Sequence, residues 1–404
     1  MSRLRLNNVA APSAPAAGKA EIFYDSTSKR LRLIDEKGAK FDVSGGLDCL
    51  QVLLNAGFKF AQRQAPGTLT SYAATTGRTY AADRWGMTIQ TSSLQYARVD
   101  SVAAPETGLQ ARFYGQFKQI TGAGKFIISQ VVEGSRGFHM RGRQVRLQCA
   151  LKGSSAKTIR LGLLQLNNAG TVDTIPAAFE SAFGANTVDP TWGTNLALIA
   201  PDAVTLASFG VAPGTQSIRN SAIDCSVTTS WQTFGGLFTL PSNYLNLIPV
   251  IWTDSQFAIN DILNVSQVSI LDQAMDADWN EIPDEEDFAG CQRYYCKSFD
   301  ADTNPAQSAG LGGAVRGHVS AAGALAGADA FVRFPMPMRA APTLTYFNPS
   351  AANAFMRNVT AGTDATATST GTASTLGTDI SATGLAGWLA SASTAVHYTA
   401  NAEL

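Results

Sequence analysis

Alternation of apolar and polar residues is the feature that most constrains the fold of this chain. It is clearest after Arg143, where every second residue is apolar: Val145, Leu147, Cys149 and Leu151. It returns after a turn at residues 152–155, with Ile159, Leu161 and Leu163. A period of two places these side chains on one face of a strand. Similar segments recur between clusters of Gly, Ser, Asn and Pro, with hardly any helical period, which predicts an all-β fold.

The span 46–290 is long enough for an antiparallel jelly-roll sandwich of roughly eight to ten strands. At its start, residues 47–57 are apolar and fit a strand better than a short helix, because alternation continues to Phe60. Residues 171–213 form the longest irregular stretch, which we interpret as an elaborated loop. Three tryptophans lie in strand patterns and are expected in the core: Trp85, Trp231 and Trp252.

The N-terminal segment, residues 1–45, reads as a small β meander. Residues 10–19 are rich in Pro and Ala and cannot form a long helix. Three short apolar pairs, separated by turns, then predict three strands: Ile22 with Tyr24, Leu31 with Leu33, and Phe41 with Val43. A sheet of this size buries too little surface to be stable alone. We therefore expect another subunit or a docking partner to hold it.

The C-terminal segment, residues 291–404, reads as a β-sandwich-like domain. Residues 330–339 and 342–348 resemble strands, with their prolines at edges or strand starts. Residues 361–378 are nearly all Thr, Ala, Ser and Gly, which fits either a loop or polar strands. No Lys or Arg follows Arg357. A surface of small neutral side chains is more natural when it is partly buried between identical subunits.

Composition excludes several functional classes. Charged residues make up 15% of the chain and the net charge is −1, which argues against binding nucleic acid through its phosphates. No apolar run is long enough for a transmembrane helix, and residues 1–8 lack the features of a secretory signal. The 5 cysteines lack a CxxC spacing, so we interpret them as free thiols made in a reducing cytoplasm. A bridge between Cys291 and Cys296 is the alternative.

A basic-aromatic stretch, residues 291–299, stands at a change of composition. An acidic, loop-like run at 276–287 precedes it, and the charge-poor C-terminal domain follows. A strand or short helix joining two modules fits this position. Large rings with polar tips suit a half-buried junction. We therefore assign the junction between domains to Arg293, Tyr294 and Tyr295, and keep a ligand site as the alternative.

Candidate residues for chemistry are few. The 3 histidines lie far apart without metal-ligand spacing, and no P-loop or G-x-S-x-G motif occurs. The acidic run could supply a catalytic carboxylate pair or calcium oxygens, although a solvated linker explains it as well. Exposed aromatic rings stack on sugar CH groups, which makes two tryptophans candidates for glycan contact: Trp192 and Trp388. We expect a protein that is not an enzyme and that needs no cofactor.

Several motifs, taken in order, resemble a module of tailed-bacteriophage virion proteins. They are residues 52–63 (VLLNAGFKFAQR), 82–85 (ADRW), 128–133 (ISQVVE), 140–143 (MRGR), 249–252 (PVIW) and 291–297 (CQRYYCK). Such modules resemble carbohydrate-binding jelly rolls and occur in tail fibres, tail spikes and head fibres. The closing residues 334–342 and 398–404 are similar to the distal domain that often follows. The meander resembles fibre-attachment repeats. The acidic run before Cys291 is heavier than this family implies.

The resemblance implies a fibre or spike of a phage virion, made in the host cytoplasm and homotrimeric. Its N-terminal segment would attach to capsid or tail proteins, and the two β domains would contact host-surface glycan. We assign the attachment to Arg3, Arg5, Phe23, Tyr24, Leu31 and Leu33. Two alternatives remain: a capsid decoration protein without a receptor, and a polysaccharide depolymerase. The depolymerase lacks support from any β-helix repeat.

Overall fold

The computed structural model shows a protein that is nearly all β, as the alternation predicts. Strands are numbered along the chain. The structure describes residues 8–9, 16, 19, 21–25, 30–34, 40–42, 51–90, 92–102, 104–177, 179–183, 189–202, 216–272, 281–320, 328–368, 370–383 and 388–404. Within these residues, no helix is both long enough and apolar enough to cross a membrane.

The N-terminal segment forms a small four-stranded sheet. Its strands are β1 (Asn8–Val9), β2 (Glu21–Asp25), β3 (Arg30–Ile34) and β4 (Lys40–Asp42). Strands β2, β3 and β4 pair antiparallel in sequence order, which confirms the predicted meander. Strand β1 adds a parallel partner to β2, which the sequence pattern did not indicate. Val43 lies outside the described residues.

The central region is a sandwich of an eight-stranded and a six-stranded sheet. The larger sheet contains β6 (Thr75–Ala82), β7 (Trp85–Ile89), β10 (Phe126–Ser129), β12 (Lys157–Leu166), β15 (Leu196–Ile199), β16 (Gln216–Arg219), β17 (Ala222–Val227) and β19 (Asn246–Thr253). The smaller contains β5 (Thr70–Tyr72), β8 (Ser93–Asp100), β9 (Phe113–Thr121), β11 (Gln144–Gly153), β18 (Gln232–Thr239) and β20 (Ile262–Asp272). There are more strands than we expected, because short strands flank both sheets.

The main core lies between these two sheets. Strand β11 sends its predicted apolar side, from Val145 to Leu151, into this core, and the facing strand β12 contributes Ile159, Leu161 and Leu163. Burying side chains of this size contributes about 1.5–3 kcal/mol each. The predicted burial of Trp85, Trp231 and Trp252 is confirmed.

The outer face of the larger sheet is covered by the segment after β12. This segment contains β13 (Glu180–Ala182) and β14 (Thr191–Trp192), so the single loop predicted for residues 171–213 is wrong in its described part. Phe179, Phe183 and Trp192 pack over Trp252 in a second apolar cluster. Residues 203–215 lie outside the described part of the chain.

Residues 51–69 are irregular and largely buried, so the strand predicted across residues 47–57 is wrong where it is described. In this segment, the side chain of Gln130 makes the main-chain hydrogen bonds that a neighbouring strand would otherwise make. The amide of Gln130 accepts a hydrogen bond from Leu54 N (2.9 Å) and donates one to Leu54 O (2.7 Å). Asn55 and Phe58 adopt positive φ angles, which an extended strand does not allow.

The C-terminal region is a second β sandwich built around its last strand. Its strands are β21 (Tyr295–Lys297), β22 (Val315–Val319), β23 (Ala328–Arg333), β24 (Thr343–Phe347), β25 (Phe355–Asn358), β26 (Thr363–Thr368), β27 (Thr370–Ala373), β28 (Gly377–Ala382) and β29 (Ser393–Asn401). The first half of β29 pairs with β22 and β25, and the second half with β21 and β24. Polar strands therefore account for most of residues 361–378.

Two helices are present among the described residues, besides a 3-10 turn at Phe138–Met140. They are α1 (Gly134–Gly137) and α2 (Asp284–Gln292). The loop-like character predicted up to residue 287 is wrong from Asp284 onward, because that part of the acidic run forms the first turn of α2. Carboxylates in a first turn are stabilised by the positive end of the helix dipole.

Candidate functional site

Arg293 and Tyr294 connect the C-terminal sandwich to the central one through Glu133. The hydroxyl of Tyr294 donates to Glu133 Oε2 at 2.6 Å, and Arg293 Nη2 donates to Glu133 Oε1 at 2.9 Å. Burial raises the pKa of Glu133, but the hydrogen bonds from Arg293 and Tyr294 outweigh burial and hold the pKa below its ordinary value. The carboxylate therefore stays ionised and holds both partners.

Two guanidinium groups of the central sandwich stack on the junction tyrosines. The Arg84 guanidinium lies 3.4 Å from the centroid of the Tyr294 ring, and that of Arg63 lies 3.8 Å from the Tyr295 ring. Tyr294 is fully buried and Tyr295 is 6% exposed. A desolvated cation over an aromatic face contributes about 2 kcal/mol. Arg293, Tyr294 and Tyr295 thus all contact side chains of the central sandwich, and their role as the junction between domains stays a prediction.

Glu403 and Leu404, the last residues that the structure describes, contact the arginines that stack on Tyr294 and Tyr295 and residues beside them. Glu403 forms ion pairs with Arg84 and with Arg63, the second at 3.3 Å. The main-chain oxygen of Leu404 accepts hydrogen bonds from Arg78 and Tyr80. Glu403 is 4% exposed, so these pairs are shielded from solvent. The two sandwiches are therefore joined by charged groups that would be costly to separate.

Helix α2 presents one buried carboxyl to the junction. Asp287 accepts a hydrogen bond from Asn55 N at 2.7 Å and is 4% exposed, so the solvated linker expected here is wrong for this residue. Burial raises the pKa of Asp287 to about 6, against the lowering effect of the Asn55 hydrogen bond. Residues 276–280 of the acidic run lie outside the described part of the chain.

The cysteines of the junction are free and buried. Cys291 and Cys296 carry unbridged thiols, as do Cys149 and Cys225, which confirms the predicted free thiols at these positions. Burial raises the pKa of Cys291, and the thiol stays protonated and unreactive. Cys49 lies outside the described residues. Within the described residues, no group of three or more His, Cys, Asp or Glu side chains could hold a metal ion.

A cleft of about 540 Å³ opens beside the junction. We call it the inter-sandwich cleft. Strand β8, the start of β9 and the segment after residue 58 line one side, and α2 with the turn after residue 300 lines the other. Its lining residues are Lys59, Phe60, Pro66, Arg98, Asp100, Arg112, Phe113, Asp284, Glu285, Phe288, Ala301 and Asp302.

Three phenylalanines give the inter-sandwich cleft its apolar surface. Phe60 and Phe288 are half-buried, with ring centroids 5.0 Å apart, so they form one continuous apolar wall. Phe113 is 8% exposed and lies 4.8 Å from the Arg112 guanidinium and 5.3 Å from that of Arg98. Because neighbouring side chains already hold these rings in place, a ligand can bury apolar area against them at little cost in conformational entropy.

Ion pairs surround these rings. Arg112 pairs with Asp100 at 2.7 Å, Arg98 with Asp302 at 3.2 Å, and Lys59 with Asp284. The hydrogen bond from Arg112 holds the pKa of Asp100 below its ordinary value. Both Asp284 and Asp302 are about two-thirds exposed, so a polar ligand can reach their oxygens.

Lys297 fixes the turn that carries Asp302. Its Nζ donates to the main-chain oxygens of Ala301 (2.9 Å) and Thr303. Burial lowers the pKa of Lys297 to about 8. The cleft is therefore built from two domains, but its polar groups are held in place before any ligand binds.

The predicted glycan-contact tryptophans lie elsewhere. Trp388 is 4% exposed in the core of the C-terminal sandwich. Trp192 packs edge-on against Trp252, with ring centroids 5.5 Å apart, and against Phe179. Trp388 is therefore enclosed in that core, whereas Trp192 is only partly buried, and glycan contact by these tryptophans stays a prediction.

The structure describes only part of the predicted attachment residues. Phe23 and Tyr24 lie in β2, and Leu31 and Leu33 lie in β3, where Tyr24 is the register partner of Leu31. Arg3 and Arg5 lie outside the described residues. The attachment role itself remains a prediction.

Sequence reasoning missed Phe60 and Phe288 of the inter-sandwich cleft and Glu133, the partner of Arg293 and Tyr294. Phe60 and Phe288 are separated by more than two hundred residues, and no spacing rule joins them. The one available signal was an apolar Phe288 directly after four acidic residues, which a solvated linker does not explain.

No model of a known protein family matches the sequence, and no curated protein matches it. Among solved structures, the chain is similar to the enzymatically active domain of bacteriophage CBA120 tailspike protein 4, at 10% identity and a TM-score of 0.28. That match covers 46% of this chain and 19% of the tailspike chain, so it spans less than a fifth of it.

Carbohydrate-binding modules also appear among the structural neighbours. TmCBM61 in complex with beta-1,4-galactotriose is 9% identical with a TM-score of 0.28, covering 55% of this chain and 99% of that one. The CBM22-1 xylan-binding domain from Paenibacillus barcinonensis Xyn10C is 8% identical with a TM-score of 0.27, covering 56% and 97%. Carbohydrate-binding modules and a phage tailspike domain are thus among the structures that this chain is similar to, all at low TM-scores.

Proposed function

We propose that this protein is a structural protein of a tailed-phage virion whose inter-sandwich cleft binds a host-surface glycan. The observation that carries the glycan part is the cleft itself: an apolar wall of Phe60 and Phe288 surrounded by reachable carboxylates and cations. Its volume is within the range of small-molecule sites, about 300–1,000 Å³.

The chemistry of the cleft suits a saccharide. A sugar ring presents CH groups on one face and hydroxyls around its edge. The phenylalanine wall would take the CH face, and the oxygens of Asp284 and Asp302 would accept hydrogen bonds from hydroxyls. Because each of these carboxylates is already paired with a cation, the cleft carries little excess charge, which favours an uncharged ligand.

The ion pairs of the inter-sandwich cleft also argue for binding without catalysis. Glycoside hydrolysis needs a carboxylic acid whose pKa is raised so that it can donate a proton. The pKa of Asp100 is instead lowered by Arg112. Asp287 has a raised pKa, but it is buried against Asn55 and does not line the cleft. A reducing-sugar assay on host capsule or lipopolysaccharide should therefore show no release above buffer.

The virion setting is supported by the order of the sequence motifs and by the small N-terminal sheet. We propose that residues 1–45 attach the protein to capsid or tail and that the body is a homotrimer. Weak glycan contacts, multiplied over three chains, would then give firm adsorption. Protein lacking residues 1–45 should form soluble trimers by light scattering and be absent from particles. Truncated protein that still purifies with virions would overturn the attachment role.

A glycan array separates this function from that of a capsid decoration protein. Fluorescently labelled protein should bind a small set of oligosaccharides from the host surface. A decoration protein predicts no bound glycan, and particles lacking it would lose physical stability rather than adsorption.

A further inference from the structure

A second, smaller cavity opens in the C-terminal sandwich, between two strands that do not line the inter-sandwich cleft. We call it the edge pocket, and its volume is about 380 Å³. The residues that line it are Pro342, Leu344, Tyr346, Thr370, Gly371 and Ala373. The first three recur at every second position up to Tyr346 in β24, so they share one face of the chain. Strand β27 supplies the other three and forms the opposite wall.

Both walls of the edge pocket are strands at the edge of a sheet. In the described part of the chain, β24 pairs with β29 alone, and β27 pairs with β28 alone. A strand at a sheet edge leaves one row of main-chain donors and acceptors without a strand partner. The edge pocket therefore lies on a side of the sandwich where a ligand finds main-chain polar groups that no further strand uses.

The Tyr346 hydroxyl is the polar group that indicates a ligand. Tyr346 is 8% exposed, and its hydroxyl is buried without a hydrogen-bond partner in the described structure. A buried polar group without a partner costs free energy, and a ligand hydroxyl that bonds to it removes that cost. Burial raises the pKa of Tyr346, so the group stays a neutral hydroxyl that can both donate and accept.

Gly371 allows this hydroxyl to lie close to the protein surface. A Cβ at this position would lie 2.5 Å from Tyr346 Oη, so a side chain here would displace the hydroxyl. Gly371 is itself exposed. The hydroxyl is therefore shielded from water by an exposed piece of main chain without a side chain, and both residues belong to the wall of the edge pocket.

The remaining side chains of the edge pocket determine which ligand it suits. Among the described residues, no charged side chain lines it. Pro342, Leu344 and Ala373 offer apolar contact, and the hydroxyls of Tyr346 and Thr370 offer hydrogen bonds. An ion would lose water here without gaining an opposite charge, which is costly. These groups favour a small, uncharged ligand that carries both CH groups and hydroxyls.

We propose that the edge pocket is a second saccharide site, which binds one uncharged sugar ring. Its volume is at the lower end of the range of small-molecule sites, about 300–1,000 Å³, and suits a single ring. The CH groups of the ring would pack on Pro342 and Leu344, and a ring hydroxyl would bond to Tyr346. The edge pocket shares no residue with the inter-sandwich cleft, so this proposal does not depend on glycan binding there.

The test measures binding of methyl glycosides to full-length protein by saturation-transfer difference NMR. The uncharged probes are the methyl glycosides of glucose, galactose, mannose, rhamnose and N-acetylglucosamine, and the charged probe is methyl glucuronide. Because the inter-sandwich cleft is also proposed to bind uncharged saccharide, the measurements use F60A/F288A protein alongside wild type. At least one uncharged glycoside should bind F60A/F288A. Methyl glucuronide should bind at least about tenfold more weakly, because its carboxylate finds no cation.

Two substitutions in the F60A/F288A protein then locate the site. Tyr346→Phe breaks no hydrogen bond of the described structure, so the variant should fold normally and bind about fivefold more weakly. Ala373→Phe fills the edge pocket and should weaken binding at least about tenfold. The matched control, Tyr96→Phe, also removes a buried hydroxyl without a partner, but in the central sandwich, and should leave binding unchanged. Near-UV circular dichroism checks that each variant is folded.

The proposal is wrong if no uncharged glycoside binds F60A/F288A, or if methyl glucuronide binds as well as the uncharged probes. Full affinity in either Tyr346→Phe or Ala373→Phe would also overturn it. Failure of the inter-sandwich cleft as a glycan site would leave these results unchanged, because they are obtained without its phenylalanine wall. The two proposals can therefore fail separately.

Discussion

The Tyr294 hydroxyl and the Glu133 carboxylate, 2.6 Å apart, form a buried hydrogen bond that joins the two sandwiches. Replacing Tyr294 by Phe removes the donor and leaves Glu133 with Arg293 alone. We expect a loss of about 1–3 kcal/mol in the free energy of unfolding, because a buried charged acceptor loses a partner. Urea denaturation followed by tryptophan fluorescence measures this change.

The matched control is Tyr96→Phe. Tyr96 is also fully buried, but its hydroxyl has no hydrogen-bond partner within the described structure. Removing that hydroxyl should leave stability unchanged or raise it. Equal destabilisation by the two substitutions would show that ring packing, and not the bond to Glu133, determines the effect.

The Gln130 amide supports a second prediction, because it alone satisfies both main-chain groups of Leu54. Gln130→Met keeps the volume but leaves a buried N–H and a buried C=O unpaired, at a cost of about 2–4 kcal/mol. Gln64→Met is the control, since the buried Gln64 amide has no partner among the described residues. A Gln130→Met protein as stable as Gln64→Met would refute the role of this amide.

His397 predicts a loss of stability in acid. Its Nε2 donates to Gly310 O (3.0 Å), so Nδ1 is the acceptor for the Ser298 hydroxyl (2.9 Å). Burial lowers the pKa of His397 below 6.5. The stability that neutral His397 contributes is therefore present above the pKa that this residue has in the unfolded chain. It is lost as pH falls through the pKa that the residue has in the folded protein. His397→Gln should flatten the decrease of melting temperature below pH 6.5, whereas the exposed His318→Gln should not.

Asp287 predicts the opposite slope. Its pKa is raised from 3.8 to about 6, so the folded protein holds the proton more tightly than the unfolded chain. The stability that protonated Asp287 contributes is complete below pH 3.8 and is lost as pH rises through 6. This contribution to the free energy of unfolding is roughly 1–3 kcal/mol. Relative to wild type, Asp287→Asn should gain stability between pH 4 and 7. A difference that stays constant over this range would contradict the raised pKa.

The strands of the sandwich cores were predictable, and the segments around the cleft were not. On β11 the polar and apolar residues alternate apart from Ala150, since one face meets the main core and the other does not. Residues 51–64 mix apolar and polar side chains, and their backbone is satisfied in part by the distant side chains of Gln130 and Asp287. No local sequence pattern indicates hydrogen-bond partners that lie so far away along the chain.

Helix α2 shows the same limit. It has no apolar stripe, and it is stabilised by an acidic first turn and by the contacts of two buried residues, Asp287 and Cys291. Composition alone drew attention to Tyr294 and Tyr295, because a basic-aromatic stretch at a change of composition is unusual on a free surface. Their partner Glu133 follows an apolar strand and gave no signal.

The central claim is that the Phe60–Phe288 wall of the inter-sandwich cleft binds glycan. Isothermal titration with the best oligosaccharide from the array, on wild type, F60A/F288A and the control F331A, tests it most directly. Phe331 is 70% exposed on the C-terminal sandwich and is not part of the cleft. We predict that F60A/F288A loses at least about tenfold in affinity through lost stacking area, with F331A unchanged. Equal affinity of F60A/F288A and wild type would contradict the claim.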